Sequence, residues 1–363
     1  MPSIKTKNIY FINIIHGYFK NLHSFSISEN YHLHSFKVAH SLGYQCVAIV
    51  LGGAEIMKTD PNLYKYIKII EYKNIFQYIF VLAKFSLFQR NVFYINSHEI
   101  ISYLSIMLTK IFSLGLAKNI FMAHTQSKRQ TEFKNKLQDF IFKFTDRIRL
   151  NNITEKNFLK ERGISEKKLY ILPLVVEGAV FQKNKEIKDR SDLLYFGQIS
   201  NKKNLLTILK ALKVLKDKKV DIKLNVIGNI ADYDIHKDLK LLGLENLVII
   251  HGFIEHKDLN DVLNNFLISV NSSKNEGQCL AVYETSLSGC ILCLPNIMSF
   301  KDVFKEYALF HEMFDYQKLS ENIIYILENK DEFIPKVNSC IEYIKEEFNK
   351  EIIESKMKEL FVF

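Results

Sequence analysis

The chain alternates continuous apolar runs with amphipathic stretches, and the alternation recurs from one end to the other. Residues 8–15 (N-I-Y-F-I-N-I-I) and 45–51 (Q-C-V-A-I-V-L) are apolar almost throughout, which predicts strands covered on both faces of a parallel sheet. Between them a polar, aromatic segment leads to a helix over about 32–42 that Gly43 stops. Short strands over 66–70, 92–95, 120–123 and 147–150 then alternate with helices over 74–89, 100–115 and 131–144. A helix over 154–162 and a strand over 168–173 complete this series, and the polar, charged segment 182–192 reads as a linker. Strands over 193–196, 222–227, 247–250 and 266–270 follow, separated by helices ending near 216, 243 and 265. Helices over 320–328 and 340–361 are expected to close the chain. Such alternation is the signature of α/β layers around parallel sheets, and the length suffices for two domains.

The stretch with the densest chemistry is 266–294. An apolar strand (F-L-I-S-V) breaks at the polar run Asn271–Asn275, a helix follows over about 280–288, Gly289 caps it, and a strand resumes at 291–294. The loop therefore lies at the carboxyl end of a parallel strand, where open sheets bind ligands. Glu276 stands in that loop and Glu284 eight residues later, roughly two helical turns further on. The amides of Cys279 and Leu280 fall in the first helical turn, where unpaired donors and the helix dipole suit a phosphate or diphosphate. Carboxylates on either side suit sugar hydroxyls, since each accepts several hydrogen bonds. Spacing alone is equally compatible with a solvated loop glutamate and an ordinary helix glutamate.

Composition changes the picture in three ways. Apolar residues make up 48% of the chain, too many for disorder. Five scattered cysteines and no visible secretory signal suggest reduced thiols and a cytoplasmic protein, and Cys290 and Cys293, three apart on a strand, face opposite sides. Charge is uneven: up to Asn184 there are 25 Lys+Arg against 12 Asp+Glu, whereas the remainder carries a net −4. A basic first half suits an anionic membrane surface or a lipid diphosphate, or is a Lys-rich composition without a partner. Residues 75–88 (I-F-Q-Y-I-F-V-L-A-K-F-S-L-F), between Lys73 and Arg90, read either as an interfacial helix on a membrane surface or as a buried core helix. The apolar run 100–109 stops at Lys110, short of the ~20 residues a span needs. A nucleic-acid partner would rest on charge alone, with no recognition motif behind it. A dinucleotide oxidoreductase lacks its G-x-G-x-x-G.

E-G-Q-C-L-A-V-Y-E (276–284) resembles the E-G-x-G-L-x-x-x-E signature of retaining glycosyltransferases of the GT-B fold, family 4 type. Further pieces recur in the family's order. G-Q-I-S-N-K-K (197–203) is similar to its G-R-L-x-x-x-K-G, L-N-V-I-G with Asn229 to its I-V-G-x-G, H-G-F-I (251–254) to its F-L-G-x-V, and 173–181 to its P-N-G-V-D-x-x-x-F. The resemblance implies two Rossmann-like α/β/α domains, 1–182 and 183–363, facing across a donor/acceptor cleft, with the last helix (about 340–361) crossing back onto the first. It implies that Glu276 faces the transferred sugar, Glu284 the ribose, and Lys203 the diphosphate. Gly197, Gln198, Asn229, Ile254, Gly277, Gln278, Cys279 and Leu280 complete the donor site, and His124 approaches the sugar from the first domain. From the residues alone, Lys202-Lys203 reads as a solvated pair, and His124, like His98, as a loop histidine past a strand end. This chain departs from the pattern at Cys279, where the family has Gly, and at Gln198, where it has Arg. It also has a first loop with only Gly17, and Glu177 in place of the family's Asp.

The implied activity is metal-independent, retaining transfer of a hexosyl or N-acetylhexosaminyl group. The donor is a nucleotide diphosphate sugar, a UDP-sugar favoured, with no cofactor. The acceptor is a glycan or lipid-linked precursor of lipopolysaccharide or capsule, on the cytoplasmic face of a membrane. No D-x-D metal motif is evident near a strand end. The competing expectation is a catalytically weak relative that binds a nucleotide sugar or a protein partner.

Overall fold

The computed structural model describes residues 9–15, 31–51, 66–87, 89–96, 100–122, 132–176 and 180–363. These form two compact units, 1–173 with 351–363, and 174–350. The expected sites at Gly17, His98, His124 and Glu177 lie outside the described residues.

Among the described residues, the first unit is built on seven parallel strands: β1 (Tyr10–Ile15), β2 (Gln45–Leu51), β3 (Ile67–Tyr72), β4 (Val92–Asn96), β5 (Lys118–Met122), β6 (Arg147–Leu150) and β7 (Leu169–Ile171). Their order is β3-β2-β1-β4-β5-β6-β7. Helices α1 (Tyr31–Ser41), α2 (Ile75–Ser86), α3 (Ile100–Phe112), α4 (Glu132–Phe142) and α5 (Ile153–Glu161) connect them. Ile12, Ile14, Val47, Ile49, Phe93 and Ile95 are fully buried, as continuous apolar runs require when a sheet is covered on both sides. Arg149 is fully buried as well, and burial pushes its pKa well below the usual value. It donates to the carbonyls of Leu172 and Pro173 and to the Tyr94 hydroxyl.

The second unit holds six parallel strands: β8 (Ser191–Phe196), β9 (Leu224–Ile227), β10 (Val248–Gly252), β11 (Phe266–Val270), β12 (Ile291–Pro295) and β13 (Ala308–His311). Their order is β10-β9-β8-β11-β12-β13. Helices α6 (Leu205–Asp217), α7 (Ile235–Leu242), α8 (His256–Leu263), α9 (Leu280–Leu287), α10 (Met298–Phe304), α11 (Tyr316–Glu328) and α12 (Lys330–Glu347) flank them. The chain leaves β8 toward β9 on one side, and β11 occupies the other. The carboxyl ends of β8 and β11 are thus a topological switch point, the place where open sheets leave a crevice for ligands.

Three sequence expectations need correction. α10 and β13 were not anticipated; β13 is a four-residue edge strand whose only ladder runs along β12, for example Leu294 with Phe310. The single closing helix is two, α12 and α13 (Lys350–Phe361), and α12 begins ten residues earlier than expected because it runs through Pro335. Proline removes a bond to the carbonyl four residues back, that of Asp331, which is exposed and can turn to water. Segment 182–192 is no loose linker. Phe181, Ile187 and Arg190 are buried, and the amides of Gln182 and Asn184 donate to Asn260 and Asn264. Helix α13 belongs to the first unit: Phe361 packs against Phe11 and Tyr94, Tyr44 donates to its carbonyl, and Arg147 donates to the carbonyls of Glu359 and Leu360.

Candidate active site

Two loops meet at the switch point, 197–204 after β8 and 271–279 after β11. The first begins where main chain touches main chain. Gly197 and Gly228, at the ends of paired strands, adopt φ +146° and +142°. A Cβ on Gly228 would stand 2.0 Å from the Gly197 carbonyl oxygen. Only glycine fits that approach. Beyond it the Ile199 amide donates to the carbonyl of Asn229, and the Ala231 amide to that of Ile199.

The loops are stitched together by small polar residues. Asn204, left-handed at φ 54° as it opens α6, donates to the Ser272 carbonyl at 3.1 Å and to Thr207 Oγ1. Ser272 Oγ returns a bond to the Asn204 carbonyl at 2.7 Å and another to that of Lys203. The Lys274 amide donates to the carbonyl of Lys202. Asn271 accepts from the Ser273 amide, and His311, from β13, stands 3.1 Å from the Asn271 carbonyl. Asn271, Ser272, Ser273, Asn204 and His311 are all buried. Sequence reasoning overlooked these residues, although an Asn-Ser-Ser run directly after an apolar strand is a usable signal. Such side chains hydrogen-bond to nearby backbone and hold loops in one shape.

This stitching brings together residues 73 positions apart. Lys203 Nζ lies 2.6 Å from Glu276 Oε1, and Lys202 Nζ lies 3.8 Å from Oε2. The Glu276 side chain is only 7% exposed and that of Lys203 17%, so the pair is largely withdrawn from water. Cys279 Sγ completes the cluster, 3.7 Å from Lys203 Nζ. Burial works to lower the Lys203 pKa, but Cys279 and Glu276 outweigh it and the net shift is upward. Burial, with help from Glu276, pushes the Cys279 thiol up to about 11, so at neutral pH Lys203 meets it as an uncharged thiol.

The cluster sits at the start of α9. Cys279 is the N-cap residue, and no side chain caps this helix. The first-turn amides of such a helix carry the positive end of its dipole. Glu284, half-buried, lies on the same helix, where its carbonyl accepts from Ser288. Gln278 is held by the chain itself. Its amide accepts from the Leu174 N–H at 2.6 Å and donates to the Leu174 carbonyl at 3.1 Å, so this side chain braces the loop. Gln198 and Asn229 are exposed, and Ile254 packs half-buried against the core. All five cysteines are free and buried. Among the described residues no cluster of His, Cys, Asp and Glu is placed to hold a metal ion.

Residues 177–347, nearly all of the second unit, match the glycosyl transferases group 1 family. The match contains every group assembled above except Leu174. Solved structures extend the likeness in fold to both units. HepE from Anabaena, in complex with UDP and glucose, aligns with a TM-score of 0.78 at 10% identity, over 97% of this chain and 99% of its own. A glycosyltransferase from Rickettsia africae gives 0.74 at 17% identity, over 97% and 98%. The lipopolysaccharide outer core galactosyltransferase WaaB gives 0.70 at 15% identity, over 95% and 97%. The fold is therefore GT-B, with two Rossmann-like units. No curated protein sequence matches the chain.

Proposed function

We propose that this protein transfers a hexosyl or N-acetylhexosaminyl group, with retention and without a metal, from a nucleotide diphosphate sugar to an acceptor hydroxyl. The observation that carries the proposal is the Lys203–Glu276 pair, 2.6 Å apart and shielded from water, at the uncapped first turn of α9. A diphosphate entering that turn competes with Glu276 for Lys203. Once Lys203 and the amides at Cys279 and Leu280 hold the phosphates, Glu276 is released to accept bonds from the sugar hydroxyls. Glu284 takes the ribose, and the resemblance assigns His124, outside the described residues, to the sugar. The same cation and amides stabilise charge growing on the leaving diphosphate. The anomeric carbon–phosphate oxygen bond breaks as the acceptor oxygen bonds to that carbon on the same face, and the acceptor proton passes to the leaving phosphate.

The HepE complexes with UDP and UDP-glucose favour a UDP-sugar donor, and WaaB favours a lipopolysaccharide-like or other lipid-linked polysaccharide precursor as acceptor. Work on such an acceptor places the protein at the cytoplasmic face of a membrane. No helix among the described residues is long and apolar enough to cross one. A second reading, a catalytically weak relative that binds nucleotide sugar or a protein partner, draws on two features: Gln198 stands where a cation would clamp phosphate, and Cys279, 3.7 Å from Lys203, stands where the family has glycine.

Thermal shift with UDP, GDP, ADP, dTDP and CMP, one at a time, tests the proposal. Ligand at about 100 times its dissociation constant adds roughly 2.7 kcal/mol. One nucleotide, UDP by expectation, stabilises the protein, and Glu284→Ala abolishes the effect. Flat curves with all five would displace both the transferase reading and a relative that binds nucleotide sugar, leaving a relative that binds a protein partner.

A further inference from the structure

The first unit carries an apolar surface that its own fold leaves uncovered. On α2, Tyr78, Leu82 and Phe85 face the sheet, while Phe76 is 81% and Phe80 71% exposed. Phe76, Phe80, Lys84 and Leu87 follow one another at helical spacing, and Lys73 stands just ahead of the N-cap, Asn74. The exposed stripe therefore reads Lys, Phe, Phe, Lys, Leu. Helix α3 packs beside α2, joined through the Tyr78 and Ser105 hydroxyls, and turns Tyr103 and Ile106 inward. It exposes Leu104 and Ile111, and Leu114 follows at 73% exposure. Two neighbouring helices thus present aromatic and aliphatic side chains to solvent.

Charge selects the occupant. Neither α2 nor α3 contains a single acidic residue. Lys73, Lys84 and Arg90 are exposed, and among the described residues they form no ion pair. Glu71, beside Lys73 in the shallow hollow formed with Phe76 and Phe80, is the one carboxylate lining it among the described residues. A layer of large apolar side chains rimmed by unpaired lysines, on a unit with excess positive charge, complements a bilayer with anionic headgroups. The rings enter the boundary between headgroups and chains, and the ammonium groups meet phosphates. A second copy of this chain would bring like charge against like charge at the same rim.

We infer that the α2–α3 face of the first unit docks this protein onto an anionic lipid bilayer, with Phe76 and Phe80 as the inserted side chains. The inference extends the lipid-linked-acceptor part of the proposed function, and its test does not depend on nucleotide binding. The full chain is sedimented with vesicles of phosphatidylcholine containing about one third phosphatidylglycerol, and with vesicles of phosphatidylcholine alone. The expected result is salt-sensitive binding to the anionic vesicles only. Phe76→Ser with Phe80→Ser lowers the partition roughly tenfold or more, as does Lys73→Glu with Lys84→Glu. Both pairs are exposed, so the variants melt with wild type and keep its UDP response. A wild-type protein that stays in solution, or a Phe variant that binds as well as wild type, overturns the inference. So does a wild-type dimer, without vesicle binding, that the Phe variant dissolves. Loss of UDP response in wild type with vesicle binding intact would instead indict the donor site.

Discussion

Replacing Gly228 by alanine tests what the main-chain contact under the candidate site contributes. The new Cβ would lie 2.0 Å from the Gly197 carbonyl oxygen and 2.7 Å from its carbonyl carbon, both backbone atoms that cannot rotate away. Holding a non-glycine residue at φ +142° adds strain of about 1–3 kcal/mol. Separating strands β8 and β9 enough to admit the methyl costs about 1–3 kcal/mol more. The sum, roughly 2–6 kcal/mol, is a large part of the ~5–15 kcal/mol that holds a domain folded. At about 2–4 °C per kcal/mol for a unit of this size, the melting transition of the second unit should fall by about 4–24 °C. Gly252→Ala is the control. Gly252 sits at φ +70° with nothing within 4 Å of its Cβ position, so it should lose only the ~1–2 kcal/mol of a left-handed conformation. Differential scanning calorimetry of both variants, with and without UDP, reads the difference. If Gly228→Ala melts no lower than Gly252→Ala, or binds UDP as wild type does, the close approach of Gly197 and Gly228 does not shape the phosphate-side loop.

Three further outcomes are expected at the charged cluster. Lys203→Met leaves Glu276 with Lys202 alone, 3.8 Å away, and should cost about 1–3 kcal/mol of stability while weakening UDP about tenfold or more by titration calorimetry. Because the folded-state pKa of Lys203 is raised above 10.5, its contribution is fully present below that value and is lost only as pH rises through the raised one. The UDP-induced thermal shift should therefore be flat from about pH 7 to about pH 9, and a fall in that window that Lys203→Met removes would refute the assignment. Cys279→Gly removes the sulfur from beside Lys203. It should strengthen UDP binding several-fold at a stability cost of about 1 kcal/mol, since glycine is tolerated at an N-cap. Weaker binding in this variant would make the thiol part of the donor contact.

Legibility in the sequence followed the strength of local pattern. The strand expected at 266–270 is β11 residue for residue, and the helix expected over 280–288 is α9 to within one position. An unbroken apolar run and a following glycine cap, Gly289 at φ 88°, leave few alternatives. Ala308–His311 escaped notice because four residues with no alternation are no stronger than chance, and β12 alone holds them as a strand. The break between α12 and α13 at Phe348-Asn349 carries neither glycine nor proline, so nothing local announced it.

At the site the division is sharper. The sequence determined the residue types and their order: Lys203 after a glycine turn, Glu276 and Glu284 around a helix start, and the apolar runs that make two parallel sheets. These follow from spacing along a single segment, which local backbone geometry converts directly into position. Tertiary structure alone decided that Lys203 pairs with Glu276 73 residues away, and that Gly197 meets Gly228 main chain to main chain. It also decided that Gln278 is taken up by Leu174 and that Phe76 and Phe80 face water. Each depends on which strands neighbour one another and which helix face the sheet covers. Contacts between distant segments form only when the whole sheet closes, so no short window of sequence records them.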